Sequence, residues 1–195
     1  SYADELARDR YNRFNLIYGH HSPYLVPIYA FMLDDLDDAF PEIRVQDITP
    51  EERARNLRAL QLASAAMASR GITFFLGIWN SRPWKVSNGV WETQPTRVTG
   101  TDDLGRLTAY TRQGFARLMA LCPAIGGIQL RLNIESGIGD QRFFAQAFVP
   151  ALKELAARGR RLTCELRNWG LHPDTVEAFR GAGVPIVVST KYFAE

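Results

Sequence analysis

Between Gly127 and Gly137 the chain reads Gly-Ile-Gln-Leu-Arg-Leu-Asn-Ile-Glu-Ser-Gly. Ile128, Leu130, Leu132 and Ile134 fall on one parity; Gln129, Arg131, Asn133 and Glu135 fall on the other. A strand has a side-chain period of two, so this pattern predicts an apolar face backed by a file of polar groups. The row ends at Glu135, where Ser136-Gly137 breaks the strand.

Neighbouring segments predict the rest. Tyr2 to Tyr11 reads as an amphipathic helix and Phe14 to Gly19 as a short strand. A proline-containing stretch follows, His20 to Thr49, whose acidic run Asp34 to Asp38 reads as a solvated loop. Thr49-Pro50-Glu51-Glu52 is a helix start: Thr49 as N-cap, Pro50 in the first turn, Glu52 in the capping-box position. That helix runs to Arg70-Gly71, and Ile72 to Trp79 is the next strand. Asn80 to Gly100 reads as a second long loop. Asp102 or Asp103 caps a helix that continues to about Leu121. After the opening strand come a helix (Phe143 to Arg158), a strand (Arg161 to Arg167), a short helix (Pro173 to Ala182) and a last strand (Pro185 to Lys191).

Strands alternating with helices indicate crossover connections and a parallel sheet. Central strands of a doubly wound sheet are apolar on both faces. Here a polar parity recurs: Gln129, Arg131, Asn133, Glu135; then Thr163, Glu165, Arg167; then Ser189, Lys191. Gly19-His-His-Ser-Pro also lacks a glycine-rich phosphate loop. The expected fold class is therefore α/β, a parallel TIM-barrel-like (β/α)-barrel. A complete barrel takes about 250 residues, so these 195 residues read as one domain holding about five of the eight βα units.

Composition narrows the partners. The chain is 46% hydrophobic with a formal net charge of +2, ordinary for a globular protein. Its lysines are few and its arginines scattered, which gives no basic stripe for nucleic acid. No apolar run reaches the length of a membrane span. The opening residues follow a helix pattern and not the order of a signal peptide, so any such signal would lie upstream; cytoplasmic and secreted locations both stay open. Cys122 and Cys164 read as small buried residues and not as a disulfide. An incomplete barrel exposes sheet edges, which opens a route to homo-oligomers.

Candidate chemistry sits at strand ends. Glu135 closes the polar row, with Asn133 and Arg131 on its side to bind a ligand or tune its pKa; the plainer role is an ion pair with Arg131 or Arg167. Glu165 on the next strand is either a lumen salt bridge to Arg131 or Arg167, or the second carboxylate of a glycosidase pair. Lys191 ends the last strand and could hold a carboxylate or form a Schiff base, as in an aldolase or lyase. His20 and His21 are adjacent and His172 is remote, so a histidine contact to a sugar hydroxyl is expected and a metal site is not; no cofactor is implied. Trp79, Trp84, Trp91 and Trp169 lie at strand ends or in the following loops. Such rings stack on sugar C–H faces, while Asn80, Asn168 and Arg167 offer directed hydrogen bonds.

Tyr2-Ala-Asp-Glu-Leu-Ala-Arg-Asp-Arg-Tyr-Asn-Arg-Phe-Asn15 resembles the first-helix-to-second-strand passage of (β/α)8 glycoside hydrolases such as the α-glucuronidases. Gly77-Ile-Trp-Asn80, Asn133-Ile-Glu-Ser-Gly137 and Ser189-Thr-Lys-Tyr192 stand where such barrels place substrate-facing residues. The resemblance implies that the five strands are barrel strands two to six, and that Glu135 closes strand four as acid/base. Ile134 separates Asn133 from Glu135 where the clan has Asn directly before Glu. The implied nucleophile, on strand seven, would lie beyond Glu195. The resulting expectation is a carbohydrate-active barrel, either a hydrolase or a non-catalytic sugar binder.

Overall fold

The computed structural model describes residues 1–18, 34–45, 48–78, 98–132, 136 and 138–190. The first helix, α1 (Tyr2–Arg8), leads into strand β1 (Arg13–Tyr18). The acidic run, expected as a loop, forms a short helix α2 (Asp34–Ala39), and Leu36 and Phe40 are buried beside it. Burial of Leu36 explains the difference: one apolar residue inside an acidic run gives the segment a face to pack. The two long loops also supply short strands that the pattern did not predict, β2 (Arg44–Val45) and β4 (Val98–Thr99), paired antiparallel.

Helix α3 (Pro50–Ala68) begins as its sequence demands. Thr49 accepts from the Glu52 backbone N–H at 3.2 Å, and the Glu52 carboxylate accepts from the Thr49 N–H at 3.1 Å. Strand β3 (Thr73–Ile78) precedes α4 (Leu104–Leu121), which is capped by Asp103 accepting from the Arg106 N–H at 3.0 Å. Strand β5 (Ile125–Leu130), helix α5 (Arg142–Ala157), strand β6 (Thr163–Asn168), helix α6 (Pro173–Arg180) and strand β7 (Ile186–Thr190) complete the order.

The row of alternating residues is displaced from its expected bounds. Strand β5 starts at Ile125 and its regular ladder stops at Leu130; a single bond from the Arg131 N–H to the Ile78 carbonyl, 3.2 Å, extends it. Residues 133–135, expected as the end of this strand, lie outside the described residues. Its early start was hidden by a register irregularity. Phe74 pairs Ile125 but Phe75 pairs Gly127, so Gly126 is an extra residue and the parity resets there.

The five long strands form one parallel sheet in the order β1-β3-β5-β6-β7. This is plain chain order, with no reversal of the kind that marks a doubly wound sheet. One parity faces the helices: Phe74, Leu76 and Ile78, then Ile128 and Leu130, then Cys164 and Leu166 all join a single core with Phe115, Phe144 and Phe148. Phe75 is as buried as these yet belongs to no part of that core. It lies on the opposite face, with Gln129 and Glu165. The helices thus cover one side and leave the polar parity to the other, which agrees with part of an α/β barrel. At the β7 edge, Val187 and Val188 stay exposed. Cys122 and Cys164 are buried free thiols, as expected.

Candidate active site on the polar sheet face

The polar face is organised around Glu165. Arg13 on β1 donates from Nη2 to Glu165 Oε2, and Gln129 on β5 donates from Nε2 to Oε1 at 2.6 Å. The sequence pattern offered Arg131 or Arg167 as the ion-pair partner; the structure pairs Glu165 with Arg13 instead. Register places Gln129 but not Arg13: followed through β5 and β3, Glu165 stands level with Ile17, four residues beyond Arg13. Gln129 stands directly opposite Glu165, whereas Arg131 and Arg167 lie one step nearer the C-terminal ends. The alternation of β5 is also present in Arg13-Phe14-Asn15-Leu16, which puts Arg13 on the polar parity of β1 without naming its partner.

This ion pair says something about shape. Strands β3 and β5 separate β1 from β6. In a flat sheet three interstrand spacings would hold them about 14 Å apart. Side chains bonding directly across that span require the polar face to be concave. Between them the Arg13 guanidinium lies 3.6 Å from the Phe75 ring centroid, and Arg13 Nε donates to Asn15 Oδ1 at 2.7 Å. Phe75 in turn lies across Gly127, where a Cβ would meet the ring at 2.3 Å. Glycine at 127 is what lets the layer close.

Burial works to raise the Glu165 carboxyl, but hydrogen bonding from Ser189, Arg13 and Gln129, together with the Arg13 charge, outweighs it and holds the pKa below the ordinary glutamate value. The Ser189 hydroxyl is itself buried, without a hydrogen bond of regular geometry. A carboxylate held in this way has both oxygens engaged and stays ionised at neutral pH. That suits an acceptor and a negative charge.

Toward the C-terminal ends of the strands the character changes. Burial, then the neighbouring Arg167 charge, lowers the pKa of Arg131. Its guanidinium also sits 5.5 Å from the centroid of the Trp169 ring, which is 37% exposed. Arg131, Arg167 and Trp169 therefore lie together near the C-terminal ends of β5 and β6. Asn168 does not join them. It has the opposite parity and lines an open groove of about 480 Å³ on the helix side, with Leu171, Val176 and Val188. His20, Trp79, Asn80, Asn133, Glu135 and Lys191 lie outside the described residues, as do Trp84 and Trp91. Among the described residues no cluster of three or more His, Cys, Asp or Glu could hold a metal ion, and no helix is long and apolar enough to cross a membrane.

No family model matches the chain. No curated protein matches it either. Among solved structures it is similar to a GH138 enzyme targeting pectin rhamnogalacturonan II, with a TM-score of 0.60 and 18% identity. The match covers 96% of this chain and 21% of that one, so the chain spans about a fifth of the protein it resembles. The likeness is one of fold. It supports a glycoside-hydrolase-like architecture and does not point to the α-glucuronidase type.

Proposed function

We propose that this chain is part of a (β/α)-barrel glycoside hydrolase, with Glu135, which follows β5 in sequence, as the general acid. The observation that carries the reading is the Arg13–Glu165 ion pair across two intervening strands. It means that a parallel sheet in chain order curls its polar face inward, as a barrel lumen does. The fold likeness to a glycosidase supports the same reading.

In this account Glu165 is not the acid. Its lowered pKa and committed oxygens suit a charge that fixes Gln129 and Arg13 within the lumen floor. Substrate lies above it, where Trp169 offers a sugar platform and Arg131 and Arg167 a doubly cationic lip. Two guanidiniums side by side favour a glycan that bears carboxylates, such as a pectin-type chain. Acid catalysis then places the Glu135 proton on the glycosidic oxygen as the bond breaks, and a second carboxylate outside this chain serves as nucleophile or base.

The test is Glu135→Gln in the intact protein, assayed on acidic and neutral oligosaccharides. Turnover should fall at least a hundredfold, the lower end for loss of a general acid, while glycan binding persists. Near-normal turnover would remove Glu135 from the mechanism. Saturable binding with no hydrolysis by the unsubstituted protein would instead favour the sugar-binding alternative.

A further inference from the structure

Gln141 precedes α5 with a helical backbone (φ −66, ψ −18), and it is Asp140 Oδ1 that accepts from the Arg142 N–H, at 2.9 Å. The Gln141 side chain makes no capping bond to its own helix. It reaches across to the turn after β6 and makes three hydrogen bonds there. Oε1 accepts from the His172 backbone N–H at 3.0 Å and from Thr175 Oγ at 2.9 Å; Nε2 donates to the Gly170 carbonyl at 2.5 Å. Gly170, at φ +69, turns the chain directly after Trp169, and the Trp169 N–H closes on the Arg167 carbonyl at 3.0 Å. One amide therefore bridges two connections. The first, β5 to α5, begins at Arg131; the second, β6 to α6, begins at Trp169.

We propose that Gln141 is a positioning residue, setting the spacing of these two connections and hence the seat of the Trp169 ring beside Arg131. The role rests on the hydrolase reading for its effect on substrate, but the geometric part stands apart from it. Only an amide of this length fits. Glutamate would turn an oxygen toward the Gly170 carbonyl, and asparagine, one methylene shorter, would fall short of the neighbouring turn.

That contrast gives the experiment. The intact protein is labelled with 5-fluorotryptophan, and the Trp169 signal is identified in its ¹⁹F spectrum by its loss in Trp169→Phe. Gln141→Asn should leave the protein folded while the Trp169 resonance moves or broadens; Gln141→Glu should move it too. On an acidic oligosaccharide, KM should rise roughly tenfold in Gln141→Asn, equivalent to about 1.4 kcal/mol, and by more than kcat falls. A Trp169 resonance unmoved in both variants overturns the proposal. So does a moved resonance with unchanged KM in a protein that hydrolyses the glycan. If the protein proves not to be a hydrolase, the resonance alone decides the positioning claim.

Discussion

Removing Arg13 should expose how the lumen layer is held together. Arg13→Met keeps much of the stem that lies over Phe75 and deletes the charge. Glu165 would then be buried with Gln129 as its remaining strong donor, its side chain only 5% exposed. Breaking a buried pair from one side costs about 3–5 kcal/mol. Arg13 is 34% exposed, so solvent screens part of the pair and the cost falls below that range. We expect about 2–3 kcal/mol at pH 7, read by urea unfolding. The pH dependence identifies the cause. In the unsubstituted protein the Glu165 pKa is depressed, so its contribution is full above the unfolded value of about 4.3 and is lost as pH falls through the folded value. In Arg13→Met the Arg13 bond and charge are gone while burial stays, so the carboxyl pKa rises and the variant loses less stability on acidification than the unsubstituted protein. The gap between the two proteins should therefore narrow from pH 7 to pH 4. Arg13→Met/Glu165→Gln should recover most of the loss at pH 7. A penalty under about 0.5 kcal/mol, the range of ordinary surface substitutions, or a gap unchanged with pH, would refute this account of the layer.

Other substitutions test neighbouring parts. Gly127→Ala places a Cβ 2.3 Å from the Phe75 ring, which Arg13 confines from above, and should cost about 1–3 kcal/mol by thermal unfolding; Phe75→Leu in the same protein should relieve it. Thr49→Ala removes the bond from the Glu52 N–H and should cost about 1 kcal/mol by urea unfolding. Burial pushes the Cys122 thiol up to about 11, so at pH 8 it should resist a thiol-reactive disulfide until the fold opens; rapid labelling under native conditions would contradict its placement.

Much of this architecture is legible in the sequence because its signals are local. Thr49 through Glu52 writes its own helix start, and a polar parity recurs on three of the five long strands. Boundaries slip where a tertiary feature intervenes. The irregularity at Gly126 resets the parity of β5, and Leu36 converts an acidic run into a packed helix. The ion-pair partner of Glu165 was out of reach for another reason. Parity names the face a residue lies on, while register and curvature decide which same-face residues touch. Arg13 is 152 positions from Glu165 and meets it only because the sheet curls. Asn168 shows the converse: next to Arg167 in sequence, it faces the other side. Gln141 gave no local signal, because its three bonds go to residues 29, 31 and 34 positions away.

The central claim is that Glu135 protonates a departing sugar oxygen, and leaving-group dependence tests it most directly. In Glu135→Ala of the intact protein, hydrolysis of a natural acidic oligosaccharide should drop by about 10²–10⁴, the usual contribution of a general acid. An aryl glycoside of the same sugar, whose phenolate departs without a proton, should lose far less. Equal losses on both substrates, or none on either, would contradict the assignment.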